Sequence, residues 1–285
     1  MQKDDIFLFL LIYVDDIVLV GNNSQACKAV KDYLNNCFKI KDLGSLKYFL
    51  GIEIARSREG IFMCQCKYTL DLLQESGLSG SKPANSPIEQ NHRLGLAEGP
   101  DFDNPERYRR IIGKLIYLNL TRPDLSYAVH VLSQFMQQPK QAHYDAAMRV
   151  LRYLKRNPGQ GILLKSECDL KYHAYCDSDW ATCPLTRRSV TGYFIMLGES
   201  PVSWRTKKQV TVARSSAEAE YRAMAVATAE LVWLEGFLAS LGVAHTNPME
   251  LFCDNKTTLH IAANPVFHER TKHIKLDCHF VREHI

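Results

Sequence analysis

The sequence lacks an apolar run long enough to cross a lipid bilayer. Its most apolar stretch, residues 6–14, is far shorter than the roughly 20 residues that a spanning helix needs, and Asp15 and Asp16 interrupt it. A basic leader is also missing, because Asp4 and Asp5 stand where a signal peptide carries positive charge. We therefore expect no membrane partner.

Closely spaced cysteine pairs are scarce as well. The nine cysteines are an odd number, are scattered from Cys27 to Cys278, and include no C-x-x-C pair. This spacing argues against a zinc ribbon and against a disulfide scaffold. A reducing, intracellular compartment is the expected location.

Compositional bias is absent too. Charged residues make up 23% and apolar residues 46% of the 285 residues, as in ordinary globular proteins. Collagen-like and wholly disordered classes are therefore excluded. The length predicts about two domains.

Acidic residues are few in the middle of the chain. Between residues 105 and 160 only Glu106, Asp124 and Asp145 oppose ten Lys or Arg, which leaves that segment at +7 while the whole chain carries +4. Such a segment predicts contact with a phosphate backbone. The predicted nucleic-acid contacts are Arg107, Arg109, Arg110, Lys114, Arg149, Arg152, Lys155 and Arg156.

Hydrophobic periodicity predicts an α/β fold of the α+β kind. Two apolar runs, 6–14 and 17–20, predict a hairpin, and 47–55 and 61–66 predict a second one around Gly60. Residues 79–105 are rich in Ser, Pro, Asn and Gly and predict a linker or a long exposed connection. Two or three amphipathic helices are expected within 108–156, and further helices at 216–241 and 257–263. Strands are expected at 172–177, 190–197, 202–207 and 249–254.

Asp15 and Asp16 lie at the predicted tip of the first hairpin. Adjacent carboxylates within an apolar hairpin are costly unless something compensates them. Mg²⁺ would do so, because it takes carboxylate oxygens together with substrate phosphates. A solvated turn explains the pair equally well.

A second group of carboxylates comprises Asp177, Glu220 and Asp254. The two aspartates end predicted strands, and Glu220 lies on the apolar stripe of the 216–241 helix. Glu218 instead forms a capping box with Ser215. If the strand ends lie under the first turn of that helix, three carboxylates converge and can hold divalent metal for phosphodiester hydrolysis. The alternative is three unrelated surface acids, with Asp179 and Glu230 as weaker candidates.

Several histidines near the C-terminus have the look of a metal site: His268, His273, His279 and His284. They lack the H-x-x-x-H spacing of a zinc helix with a third ligand. Residues 270–273 are better explained as a phosphate contact or a helix cap.

Ordered motifs identify a family. Residues 11–21, LIYVDDIVLVG, resemble the Y-V-D-D hairpin of reverse transcriptases, and 42–53, 113–117, 121–127 and 151–155 resemble copia-type LTR retrotransposons, most closely the plant members. Residues 175–180, 203–209, 214–221, 253–255 and 268–273 resemble the ribonuclease H of that family. The matches occur in family order along nearly the whole chain.

The resemblance implies roles for these residues. Asp15 and Asp16 would bind the Mg²⁺ or Mn²⁺ of nucleotidyl transfer, and Asp177, Glu220 and Asp254 would be three of the four ribonuclease H carboxylates. It implies three domains: the end of a reverse transcriptase palm at 1–95, a helical thumb or connection at 96–165, and a truncated ribonuclease H-like mixed sheet with helices at 166–285. An RNA–DNA hybrid or another nucleic acid would be the partner.

The same resemblance implies incomplete active sites. The family's fingers and third polymerase carboxylate lie upstream of Met1, and its fourth ribonuclease H aspartate lies beyond Ile285. We therefore expect no polymerase activity and weak or no ribonuclease H activity. The alternative is a non-catalytic nucleic-acid-binding remnant.

Overall fold

The computed structural model describes residues 6–243, 245, 247–264 and 274–284. Strands and helices alternate along the described chain, so the predicted mixed α/β class is confirmed. The chain separates into two compact units, Met1–Ala55 and Arg56–Ile285.

The first unit opens with the predicted hairpin. Strands β1 (Leu8–Tyr13) and β2 (Asp16–Gly21) pair antiparallel, and Tyr13 opposite Asp16 is the last pair before the turn. Val14 takes a left-handed φ of 51° in this turn, a conformation that a β-branched residue rarely adopts. Most of the apolar side chains of the hairpin are exposed.

Helix α1 (Ser24–Phe38) follows the hairpin. The Asn23 side chain caps it by accepting from the Ala26 N–H at 2.9 Å, as expected of an N-cap asparagine. No side chain of α1 is buried. Neither the hairpin nor this helix therefore contributes a well-buried core to the unit.

The predicted strand at 47–55 is wrong in one respect. A tight turn divides it into β3 (Tyr48–Phe49) and β4 (Ile52–Arg56), which pair antiparallel. Leu50 and Gly51 both have positive φ in that turn. Because Leu50 is apolar, the hydrophobic pattern continues through the turn and does not reveal it.

The second unit contains a helical core. Its helices are α2 (Cys66–Glu75), α3 (Pro105–Leu118), α4 (Ser126–Ser133) and α5 (Gln141–Leu154). They share one apolar cluster that includes Tyr108, Leu115, Leu132 and Leu151. The predicted helical segment 108–156 is thus three helices, with Pro123 and Pro139 in the breaks.

Arg122 supports this core. Its side chain is only 2% exposed and makes a two-pronged ion pair with Asp124, through Nε at 2.9 Å and NH2 at 2.7 Å. The Tyr153 hydroxyl donates to the same carboxylate at 2.9 Å. Arg122 therefore has a structural role.

The predicted linker at 79–105 is ordered along the helical core. The Ala84 N–H donates to the Arg152 carbonyl at 3.1 Å, and the Phe102 N–H donates to the Pro139 carbonyl at 2.8 Å. Ile88 and Leu94 pack against the apolar cluster. Its loop-like composition correctly indicated irregular backbone and exposure, because most of its residues are exposed and none is buried. The contacts that hold it along the helical core were not predicted.

A strand pair borders the helical core. Strand β5 (Gly60–Cys64) pairs antiparallel with β6 (Gly161–Lys165), a strand that the sequence had not predicted. Gly60 has a φ of 147°, and a Cβ there would lie 2.0 Å from the Leu164 carbonyl oxygen. Only glycine allows the two backbones to approach this closely.

The last sheet has the order β10-β7-β8-β9. Its strands are β7 (Tyr172–Asp179), β8 (Val190–Leu197), β9 (Ser200–Lys208) and β10 (Glu250–Phe252). The first three in chain order pair antiparallel, whereas β10 lies parallel to β7. The sheet packs with three helices: α6 (Ser216–Ser240), α7 (Lys256–Ala263) and α8 (Lys275–Glu283).

Helix α6 is the central helix of this layer. By length and composition alone it could also cross a membrane. One face of it, including Tyr221, Met224 and Leu231, is buried in the core shared with the sheet, whereas Val226, Trp233 and Phe237 are exposed. A core helix can have the same composition.

Hydrogen bonds from β9 join the sheet to the helical core within the second unit. The Trp204 indole N–H donates to the Asn119 carbonyl at 2.9 Å. The Lys208 backbone N–H donates to Nε2 of His130 at 3.0 Å. Burial lowers the pKa of His130, which favours the neutral ring that this acceptor role requires.

Candidate functional site

The candidate site lies where two parallel strands end. Phe252 of β10 stands beside Tyr175 of β7 in the register. Cys253 and Asp254 therefore follow β10 at the level at which Asp177 lies on β7. Because parallel neighbours run in the same direction, their carboxyl ends lie at the same edge of the sheet.

The beginning of α6 supplies the third acid. Ser215 caps the helix by accepting from the Glu218 N–H at 3.2 Å, and the Glu218 carboxylate accepts from the Arg214 N–H at 2.8 Å and from Arg222 at 2.7 Å. These contacts confirm Ser215 as the N-cap. They give Glu218 a structural role at the Arg214 N–H, one residue before the N-cap whose N–H a capping box would use. Glu220, two residues further on, has no part in these capping contacts.

The structure brings Glu220 and Asp254 together. One ligand atom each from Glu220, Asp254 and Cys253 lies within 4.8 Å of the other two. Asp177 is outside that group, yet it is near enough for its charge to raise the pKa of Glu220. Two of the three predicted acids thus share one cluster and the third adjoins it.

Glu220 is the most constrained of these acids. It is 6% exposed, and its Oε2 is buried with no hydrogen-bond partner among the described residues. Burial raises its pKa to about 7, with a further contribution from Asp177, while a hydrogen bond from the Ser178 N–H lowers it. A buried, unpaired carboxylate oxygen beside other acids fits a cation.

Cys253 was missed as a member of the site. The Cys176 thiol donates to the Phe252 carbonyl at 3.6 Å. Its side chain also lowers the pKa of Cys253, whereas the neighbouring Cys253 and burial raise the pKa of Cys176. Residues 253–255 had entered the sequence argument only as a motif. The position of Cys253 directly before Asp254, at the end of a strand, was the available signal.

Gln209 fixes the elements around the acids. Its buried side-chain nitrogen lies 2.9 Å from the Ala219 carbonyl, 3.0 Å from Thr191 Oγ1 and 3.2 Å from Ser178 Oγ. It thereby links α6 to β7 and β8 next to Glu220. This contact explains why a glutamine follows the two lysines of β9.

The weaker candidates lie apart from this cluster. Asp179 is an exposed residue. Partial desolvation of its carboxyl group by neighbouring atoms, together with the charge of Asp177, raises its pKa. Glu230, further along α6, accepts a hydrogen bond from the Ser203 hydroxyl at 2.7 Å.

Asp15 and Asp16 lie at the hairpin tip, as predicted. Both are exposed. The argument that an apolar hairpin makes these carboxylates costly is therefore wrong for the described structure, because the hairpin leaves them in solvent.

The predicted solvent-facing basic side chains are largely engaged within the protein. Arg149 pairs with Glu89 at 3.1 Å, Lys155 donates to the Ser81 carbonyl at 2.6 Å, and Arg156 donates to Asn85 at 3.0 Å. These charges, on α5 and directly after it, fasten the 79–89 segment. The prediction that they lie on the solvent faces of the helices holds for Arg156, which is exposed, whereas Arg149 and Lys155 are half-buried. The acceptors on the 79–89 segment were not predicted.

The remaining predicted contacts divide similarly. Arg110 and Lys114 both pair with Glu75, Arg107 lies over the Tyr144 ring, and Arg109 donates to the Met136 carbonyl at 3.2 Å. Arg152 is half-buried. The exposed members of the eight are Arg109, Arg110 and Arg156.

A basic groove was not predicted. It has a volume of about 700 Å³ and lies between β8, β9, α6 and α8. Its cationic lining residues are Arg205, Lys207, Lys208, Arg222 and Lys275, and Asp277 opposes them. These residues lie on three separate elements and form no continuous charged run, so the sequence did not predict the groove.

Only part of the histidine prediction falls on residues that the structure describes. His268 and His273, with the whole 270–273 segment, lie outside the described residues. His279 lies on α8, and His284 follows the end of that helix with Nδ1 2.8 Å from the Phe280 carbonyl.

Comparison with known proteins assigns the family. Residues 2–90 match the family described as reverse transcriptase (RNA-dependent DNA polymerase). The chain is 44% identical, over all 285 residues, to the retrovirus-related Pol polyprotein from transposon RE2 of Arabidopsis thaliana, and covers 20% of that protein. It is 33% identical over 286 residues to the Pol polyprotein from transposon TNT 1-94 of Nicotiana tabacum, covering 97% of this chain and 21% of that protein. The chain belongs to the copia-type retrotransposon Pol polyprotein family.

A shorter relative aligns over most of its own length. An uncharacterized mitochondrial protein of Arabidopsis thaliana is 43% identical over 228 residues, which cover 79% of this chain and 94% of that protein. In contrast, this chain spans about a fifth of the length of the RE2 and TNT 1-94 polyproteins. The region that matches the reverse transcriptase family lies at its N-terminal side.

Proposed function

We propose that residues 166–285 form a ribonuclease H-like domain that hydrolyses the RNA strand of an RNA–DNA hybrid. In this proposal Asp177, Glu220 and Asp254 hold Mg²⁺ or Mn²⁺. Residues 1–95 would belong to a reverse transcriptase palm and 96–165 to its thumb or connection. The expected activity is weak, and the expected location is inside the cell.

The observation that carries this proposal is the meeting of Glu220 and Asp254 at the sheet edge beside Asp177. The acids come from α6, from the loop after β10 and from β7. Across the described residues no Lys, Arg or His pairs with any of the three. Carboxylates that converge without a basic partner fit a divalent ion.

Each residue has a distinct part in the proposed reaction. Bound Mg²⁺ or Mn²⁺ supplies the positive charge that stabilises a phosphodiester under attack. Glu220, with a pKa of about 7 in the metal-free site, can hold a proton near neutral pH and would release it on binding the ion. Asp177 and Asp254 border it from the two strand ends and would complete the carboxylate ligand set. Hybrid duplex would be selected by its shape and its 2′-OH groups.

Cleavage of a labelled RNA–DNA hybrid with Mg²⁺ or Mn²⁺ tests the proposal. Wild type is compared with Glu220→Gln and Asp254→Asn, and both variants are expected to lose cleavage. Glu230→Gln is the matched control on the same helix, because glutamine can still accept the hydrogen bond from Ser203. Loss of cleavage in this control, or its survival in both site variants, would contradict the assignment.

For the N-terminal unit we propose that Asp15 and Asp16 belong to a polymerase motif and that these 285 residues alone do not transfer nucleotides. The support is the exposure of both carboxylates and of the apolar faces of their hairpin. Template-directed incorporation of a labelled nucleotide by the purified chain would overturn this part.

A non-catalytic nucleic-acid-binding protein is the second candidate. The basic groove beside α6 favours it, because Arg205, Lys207 and Arg222 converge there without needing a complete catalytic site. Salt-sensitive binding of the hybrid without cleavage is the expected result. Binding that does not respond to ionic strength would exclude it.

A further inference from the structure

The acid cluster contains a sulfur ligand that Mg²⁺ does not use. The Cys253 thiol, the Asp254 carboxylate and the Glu220 carboxylate each place one ligand atom within 4.8 Å of the other two. Mg²⁺ takes oxygen ligands, whereas a thiolate is the preferred ligand of softer divalent ions such as Zn²⁺ and Cd²⁺.

Glu220 provides independent evidence that a ligand belongs here. The residue is 6% exposed, and the buried Oε2 of its carboxylate finds no hydrogen-bond partner in the described part of the chain. A buried polar atom without a partner is costly. A cation held between this oxygen and the two neighbouring ligand atoms removes that cost.

We propose that Cys253, Glu220 and Asp254 form a mixed sulfur–oxygen site for a thiophilic divalent ion of the Zn²⁺ class, which competes with Mg²⁺ for the two carboxylates. Three protein ligands with an open fourth position are common for Zn²⁺. Binding replaces the thiol proton, which passes to the buffer, with a sulfur–metal bond. The inference rests on the proposed function only for the shared carboxylates, because sulfur ligation is measurable without cleavage.

Titration with Cd²⁺ tests the sulfur ligand directly. A Cd²⁺–thiolate bond gives an ultraviolet charge-transfer band, and its growth is followed together with calorimetric affinity. Wild type is compared with Cys253→Ser and Cys253→Ala, and Cys27→Ser is the matched control because Cys27 is another half-buried free thiol. Circular dichroism checks that every variant is folded.

The two Cys253 variants are expected to lose the band that appears at the lowest Cd²⁺ concentrations and at least about tenfold in Cd²⁺ affinity. Cys27→Ser is expected to keep both. Weaker bands at higher Cd²⁺ concentration are expected from the other cysteines in all variants. An unchanged high-affinity band in both Cys253 variants would overturn the proposal, as would its equal loss in Cys27→Ser.

Mg²⁺ separates this inference from the proposed function. Cys253→Ser is expected to change Mg²⁺ affinity by less than about threefold, because sulfur contributes little to a hard ion. Glu220→Gln is expected to weaken both ions. If Cd²⁺ binds through Cys253 but Mg²⁺ does not bind, the inference stands and the hydrolase proposal fails. If Mg²⁺ supports cleavage while the sulfur band is absent from wild type, the inference fails alone.

Discussion

The molecule carries two acidic sites that differ in how they are built. Asp15 and Asp16 are neighbours in sequence, lie at the tip of a two-stranded hairpin and are exposed. Glu220 and Asp254 are 34 positions apart, yet the sheet and α6 bring them together with Cys253. The first pair is assembled by sequence alone and the second only by the fold.

This difference determines the chemistry available at each site. Asp15 and Asp16 are both exposed to solvent. Burial and neighbouring charge raise the pKa of Glu220 to about 7. Perturbed acids are typical of functional sites, although structural networks perturb acids too.

The largest expected effect is on hybrid cleavage. Asp254→Asn should lower the cleavage rate at least about 100-fold, because it removes a carboxylate that holds the ion. Asp16→Asn should leave the rate of hybrid cleavage unchanged. Initial rates under single-turnover conditions measure both, and equal losses would remove the distinction between the two sites.

The second-largest effect is expected on stability, at the buried Gln209 side chain beside the second site. Gln209→Ala should lower the free energy of unfolding by about 3 kcal/mol, because Ser178, Thr191 and Ala219 each lose a buried partner. Denaturant unfolding measures the change. Gln74→Ala, at an exposed glutamine of α2 in the same unit, is the control and should change stability by less than about 0.5 kcal/mol.

The pH dependence of stability distinguishes the sites without a substrate. The folded pKa of Glu220, about 7, lies above its unfolded value of 4.5. The folded state then binds the proton more tightly, so its contribution to stability is present below pH 4.5 and is lost as pH rises to about 7.

Glu220→Gln should remove that decline, on the order of 2 kcal/mol, from the metal-free protein. Thermal unfolding from pH 5 to pH 8 in the presence of a chelator provides the measurement. Asp15→Asn is the comparison and should leave the slope with pH as in wild type. A wild-type slope retained in Glu220→Gln would contradict the role given to burial.

The smallest effect is expected at the hairpin tip. A double change, Asp15→Asn with Asp16→Asn, should alter the free energy of unfolding by less than about 0.5 kcal/mol, because both groups are solvated. Urea titration of the purified protein measures it. A larger loss would mean that the hairpin carboxylates have partners in solution, and the contrast between the sites would weaken.

Much of the fold was predictable because its signals are local. The strand at 190–197 was predicted at the observed bounds of β8, and the helix predicted at 216–241 differs from α6 by one residue. Periodicity of apolar residues and a serine cap specify such elements. Strand β6 and helix α8 were not predicted. The contacts that hold residues 79–105 on the helical core were not predicted either, because they are made with residues far away in sequence.

The sequence by itself determined the family, the hairpin with its two aspartates and the choice of Glu220 as a site residue. Each of these follows from adjacent residues or from the periodicity of a single helix. Only the tertiary structure decided that Cys253 joins the acids and that Arg149, Lys155 and Arg156 contact the 79–89 segment. Both outcomes depend on long-range contacts: parallel β7 and β10 align two strand ends, and acceptors on one segment lie over the basic helix. Physical proximity of that kind has no counterpart in the spacing along the chain.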